Sequence, residues 1–91
     1  MAIEINEQIR QYVSRNLLFS ENGYPYEDGA SFLEKGVIDS LGVMDLVDFV
    51  SKRFAVTVDP RDVVPENFDS VSRLADYVRR KTESPQPASA N

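Results

Sequence analysis

The chain has no cysteine and no histidine. Those two absences together exclude disulfides, thiolate nucleophiles, His-based catalytic triads and the usual zinc sites. Long apolar runs are missing too, and nothing approaches the roughly 20 residues that a membrane-spanning helix needs. The opening residues, Met1-Ala2-Ile3-Glu4, have neither the basic region nor the apolar block of a signal peptide, so a cytoplasmic location without membrane association is expected. Positive charge is scarce: ten Lys and Arg stand against fifteen Asp and Glu, for a net charge of −5. That balance argues against nucleic acid as a ligand, which demands clustered bases, and favours basic protein partners. What remains is 91 residues, 42% apolar and 27% charged, the composition of one soluble globular domain with a modest core. So restricted a set of side chains supports few reactions, and no enzyme activity is expected.

Ile5, Ile9, Tyr12, Val13 and Leu17 recur at intervals of three and four with polar residues between them. This pattern predicts an amphipathic first helix over about Ile3–Leu18. From Phe19 to Ser31 turn formers collect around Tyr24 and Tyr26, which predicts a long loop whose two rings cover the core while their hydroxyls stay wet. The loop's acids lack the spacing of a calcium loop. Phe32, Leu33, Val37 and Ile38 are expected to pin its end to the core.

A second helix is predicted from Ser40 to Arg53 or Phe54, with Met44, Val47, Val50 and Phe54 on a core face. Ala55–Val58 is too short for a sheet without a second strand, and reads as an extended connection. Asp59-Pro60 has the chemistry of a helix start, so a short helical turn is expected within Asp59–Val64, stopped by Pro65. Ser70 is the expected N-cap of a last helix carrying Val71, Leu74, Ala75 and Val78 inward, with Arg79, Arg80 and Lys81 at its negative end. A single folded domain is thus expected over residues 1–81, and the polar, proline-bearing residues 82–91 are expected to form a disordered tail.

The chain is organised around Gly36-Val37-Ile38-Asp39-Ser40-Leu41-Gly42. Asp39 stands where an N-cap would stand, which puts Ser40 in the expected first turn, where the helix dipole favours an attached anion. Asp and Ser are also common residues at ordinary helix starts, so the pair alone is compatible with a purely structural role. Taken with Phe32-Leu33 upstream, Phe54 downstream and Phe68-Asp69-Ser70-Val71 beyond, however, the Asp39-Ser40-Leu41 triplet resembles the acyl and peptidyl carrier family over about Ile3–Lys81.

That resemblance implies an all-α fold: a small four-helix bundle with a long loop between the first two helices and a short third helix. It implies a covalent 4′-phosphopantetheine arm on Ser40, with Asp39 and Leu41 flanking the site. Leu41 would offer partners an apolar contact, though plain packing accounts for it equally well. The implied function is to hold acyl intermediates as thioesters and present them to enzymes of fatty acid, polyketide or related biosynthesis. An aminoacyl or peptidyl carrier of a nonribosomal pathway, or a helical adaptor without a covalent group, are the alternatives. The implied partners are a phosphopantetheinyl transferase and acyl-loading and acyl-processing enzymes with basic docking patches, met by a monomer.

Charge is concentrated accordingly. Asp39, Asp45, Asp48, Asp59, Asp62, Glu66 and Asp69 face only Lys52, Arg53 and Arg61 within residues 39–69. Asp45, Asp48, Asp62 and Glu66 are the candidate partner-binding residues, since such a field steers association toward a positive surface. Two features depart from the fatty-acid type: Lys52-Arg53 at the end of the second helix, and Gly42 after Leu41. A glycine inside a helix costs about 1 kcal/mol relative to alanine.

Overall fold

The computed structural model describes residues 4–39 and 42–83. Among the described residues there are four α-helices, α1 Ile5–Asn16, α2 Gly42–Arg53, α3 Pro65–Phe68 and α4 Val71–Glu83, and a 3-10 turn at Pro60–Asp62. There is no strand among the described residues, and no helix there is long and apolar enough to cross a membrane. This is the small helical bundle expected, with its long α1–α2 loop and short α3. Ser40 and Leu41, and the tail beyond residue 83, lie outside the described residues; α4 itself runs to Glu83, past the boundary expected at Lys81.

One core gathers contributions from every helix and from the loop. Ile9 and Val13 of α1, Leu46 and Val50 of α2, Phe68 of α3, and Val71, Leu74, Ala75 and Val78 of α4 are buried together with Phe32 and Val37 of the loop. α4 is the central element, packed against both α1 and α3. α2 joins α1 through stacked rings, Tyr12 on Phe49 with centroids 4.1 Å apart. Most residues expected in the core are there or packed against it, with two exceptions, Met44 from the expected core face of α2 and Leu33 from the end of the loop. Met44 is 58% exposed and Leu33 is 52% exposed, so neither belongs to the core. α2 is apolar around most of its circumference, and only its neighbours decide which apolar stripe is covered.

Capping explains where the helices start. Ser70 Oγ accepts from the Arg73 N–H at 3.0 Å, and the Asp28 carbonyl accepts from the Ser72 N–H at 2.9 Å. Two of the donors that α4 leaves without intrahelical partners are thereby satisfied. Asp59 caps the 3-10 turn through the Arg61 N–H at 2.8 Å. Pro65 acts differently from the expectation. The 3-10 turn has already ended at Asp62, and Pro65 opens α3 at its first position, where a residue without an N–H loses nothing.

The α1–α2 loop is tied down at several points. Asp28 accepts from Arg10 at 2.6 Å and from Asn6 at 3.1 Å, both on α1, so this acid is structural. Tyr24 packs edge-on to Phe32 and Tyr26. Its hydroxyl is not wet as expected: the oxygen is buried and has no hydrogen-bond partner among the described residues. Burial pushes its pKa up to about 12, with the Asp28 charge adding to the effect. Further on, Ser31–Lys35 makes one helical turn, closed by Val37 N–H on the Phe32 carbonyl and Gly36 N–H on the Leu33 carbonyl. That pair of bonds is a Schellman closure, and it requires the left-handed backbone that Gly36 adopts at φ 69°.

Two measurements follow from this loop. Gly36→Ala should lower stability by about 1 kcal/mol in urea unfolding; no atom lies near the added methyl, so the loss would be one of backbone strain. Tyr24→Phe should leave stability unchanged or raise it, because it removes a buried hydroxyl without a partner. The folded state holds the Tyr24 proton more tightly than the unfolded state, whose value is 10.0, so this contribution is intact below pH 10 and is lost as pH rises toward 12. Tyr24→Phe should therefore flatten the alkaline fall in melting temperature.

Candidate functional site

The Schellman closure at Gly36 turns the chain toward α2. Val37 then anchors it in the core, Ile38 is half-buried against the core, and Asp39 emerges at the surface. Asp39 caps α2 twice over: its Oδ1 accepts from the Gly42 N–H at 2.8 Å, and its carbonyl accepts from the Val43 N–H at 3.3 Å. The expected N-cap role is thus seen directly. Ser40 and Leu41 occupy the two positions between Asp39 and Gly42 in the sequence.

An apolar groove of about 210 Å³ begins at Asp39 and runs to α3. Leu33, Ile38, Val43, Val63, Val64 and Phe68 line it. Pockets for drug-sized ligands typically span about 300–1,000 Å³, so this groove has room for a slender chain only. Its far wall is braced from behind. Tyr77 donates to Asp62 Oδ2 at 2.8 Å, and Asn67 donates to the Asp62 carbonyl at 2.9 Å. Burial raises the Tyr77 hydroxyl pKa strongly and the Asp62 carboxylate adds to it, which keeps this donor protonated. Arg61 in turn holds Asp59 down to about 2 through its side chain and its backbone N–H.

The other candidate residues lie in three kinds of place. Asp45 and Glu66 are exposed and make no ion pair among the described residues. Asp48 is exposed and pairs with Lys52 at 3.2 Å. Asp62 is half-buried and engaged by Tyr77, and Asp69 is buried, bonded to the loop. Sequence reasoning missed the groove itself. Part of its wall is built by Val63-Val64, a β-branched pair whose apolar signal is too short to show a period. A larger depression of about 590 Å³ lies at the other end of α2, between Tyr12, Arg15, Phe49 and Arg53. Its polar groups are largely committed, Arg53 to Gln8 at 2.8 Å and the Tyr12 hydroxyl to the Asp45 carbonyl at 3.3 Å, so size alone does not mark the site.

A four-helix bundle that presents an Asp-capped helix start beside a narrow apolar groove defines a class of small scaffolds for a tethered chain. The phosphopantetheine attachment site family model matches residues 7–78, and the chain belongs to that family. It is a carrier protein, and the cofactor of its family is covalent 4′-phosphopantetheine. Over 57 residues, 63% of this chain, it is 30% identical to a probable acyl carrier protein, PigG, from Serratia sp. (strain ATCC 39006). The matched stretch spans 66% of that protein's length. The residues at hand fit the group: the start of α2, capped by Asp39, would favour the phosphodiester that anchors the arm, and the narrow apolar groove beside it would suit an apolar chain at the arm's end.

Asp39→Ala should cost about 1 kcal/mol of stability by removing one cap bond. For a domain of this size that is a fall in melting temperature of about 4–8 °C, read by circular dichroism.

Proposed function

We propose that the chain is an acyl carrier protein whose Ser40 bears the 4′-phosphopantetheine arm, and which presents acyl groups to enzymes of fatty acid, polyketide or related biosynthesis. The observation that supports this reading is the pair of bonds by which Asp39, at the edge of the groove, holds Gly42 and Val43, the residues that follow Ser40-Leu41 in the sequence. Installation of the arm is a phosphoryl transfer. The Ser40 oxygen forms a bond to the phosphorus that carries pantetheine in coenzyme A, the phosphoanhydride bond breaks, 3′,5′-ADP leaves, and the serine proton passes to base. The dipole of α2 favours the phosphodiester anion that results. When bound, the arm supplies a thiol that holds the acyl group as a thioester. No cysteine of the chain competes with it.

The residues of the chain then have distinct tasks. Leu33, Val43, Val63, Val64 and Phe68 exclude water from the arm's path, and Leu41 offers partners an apolar contact. Asp45 and Glu66, with Asp48 and Asp62, set the negative field that steers basic docking patches, strongest at low salt because screening acts over about 8 Å under physiological conditions. The acyl reading over the aminoacyl one is supported by the likeness to a probable acyl carrier protein.

Incubation with coenzyme A and a broad-range phosphopantetheinyl transferase should add one arm to the intact mass, and Ser40→Ala should abolish the gain. An unmodified wild type beside a carrier that reacts would leave a non-covalent adaptor as the reading. Asp39→Ala should slow the modification by more than its loss of stability accounts for. Equal losses in loading and melting would make Asp39 structural only.

A further inference from the structure

Phe19 is the one residue of the loop that neither folding nor packing explains. It closes the end of α1: Leu18 N–H bonds to the Val13 carbonyl and Ser20 N–H to the Ser14 carbonyl at 2.7 Å. Between them Phe19 takes up a left-handed backbone at φ 53°. This left-handed conformation is one that glycine or asparagine ordinarily takes just beyond a helix, and a bulky side chain in it is an outlier. Its neighbours Leu17 and Leu18 turn onto the core, yet the Phe19 ring stays 80% exposed. Backbone strain and an aromatic ring left in water both oppose the folded state, and the polar alternatives would relieve both. Outliers of this kind cluster at sites of recognition.

The surroundings of Phe19 say what the ring meets. It lines a shallow recess with Leu17, Val37, Ile38, Asp39 and Gly42. The recess therefore shares Asp39 and Gly42 with the start of α2, and Ile38 and Asp39 with the groove that leads to α3. An enzyme that reaches Ser40 before any arm is present has only protein surface to recognise. A specific interface covers about 800 Å² on each partner, far more than one helix start supplies. Later enzymes also grip the arm and its cargo; the enzyme that installs the arm cannot. That enzyme must hold the phosphates of coenzyme A with cationic groups beside the reacting serine, and exposed Asp39 and Asp45 complement such a rim.

We propose that Phe19 is the apolar anchor by which the phosphopantetheinyl transferase docks on this carrier, its ring seated in an apolar pocket of the transferase next to the basic coenzyme A site. The inference rests on Ser40 being the attachment residue. A left-handed backbone flanked by two hydrogen bonds fixes the direction in which the ring leaves the chain, so little backbone freedom is lost when it docks.

The test is steady-state modification of the full chain by a broad-range phosphopantetheinyl transferase at saturating coenzyme A, followed by intact mass, with melting curves alongside. Phe19→Ala and Phe19→Gly should lower kcat/KM by about tenfold, through KM for the carrier and not through kcat. Phe19→Gly should melt at or above the temperature of wild type, since glycine accepts the left-handed backbone; this separates docking from folding. Phe19→Leu should keep most of the wild-type rate. Wild type that is modified, with Phe19→Gly processed as well as wild type, overturns the anchor and leaves the carrier reading intact. A wild type that gains no arm overturns both.

Discussion

The position of the site depends on one buried carboxylate. Asp69, between α3 and α4, accepts from the Ser31 hydroxyl and from the Leu33 N–H at 2.9 Å, while its backbone carbonyl accepts from the Phe32 N–H at 2.8 Å. A buried charge is tolerated only where hydrogen bonds offset its desolvation, and here both carboxylate oxygens are used. The bonds clamp the last turn of the α1–α2 loop onto the start of α4. Phe32 enters the core as a consequence, the turn closes at Gly36, and Asp39 arrives where it can cap α2. Ser31 is a relay in this clamp, because its hydroxyl also accepts from the Glu34 N–H at 3.1 Å and so starts the same turn.

This clamp shows where sequence reasoning reaches its limit. Asp69 counted among seven acids around the site, as one more contributor to a negative field. Its burial removes it from that role, and nothing local to Phe68-Asp69-Ser70 marks the carboxylate as the partner of a turn 36 residues earlier in the chain. Local chemistry was legible where the interaction is itself local. Asp39, Asp59 and Ser70 bond donors two or three residues ahead, and all three caps were foreseen. The periodic faces of α1 and α4 were legible for the same reason, since a stripe of apolar residues is a property of one helix.

The failures share a cause. Met44 and Leu33 look like core residues in sequence because they are apolar and adjacent to residues that are core. Whether such a side chain is covered depends on which element packs beside it, and the neighbours of α2 leave Met44 outside. Tyr24 illustrates the reverse case. An amphipathic ring in a polar loop is ordinarily expected to keep its hydroxyl in water, but Phe32, drawn inward by the Asp69 clamp, takes Tyr24 with it. Phe19 and the groove formed with Val63-Val64 were missed because each joins segments far apart in the chain.

Gly42 links the clamp to the start of α2. Considered as a helix residue it is a loss, because glycine gives up more chain entropy than any other residue on entering a helix. Its surroundings account for it. A Cβ at this position would stand 3.3 Å from Ile38 Cβ and 3.4 Å from Asp39 Oδ1, closer to the isoleucine than nearly all real contacts come. Absence of the side chain lets Ile38 lie against the first turn while the Asp39 carboxylate reaches the Gly42 N–H. A larger residue would have to displace either the isoleucine that walls the groove or the oxygen that caps the helix. The local helix preference is therefore surrendered at the point where the groove, the recess beside Phe19 and the cap converge, because all three need Ile38 and the Asp39 carboxylate where they are.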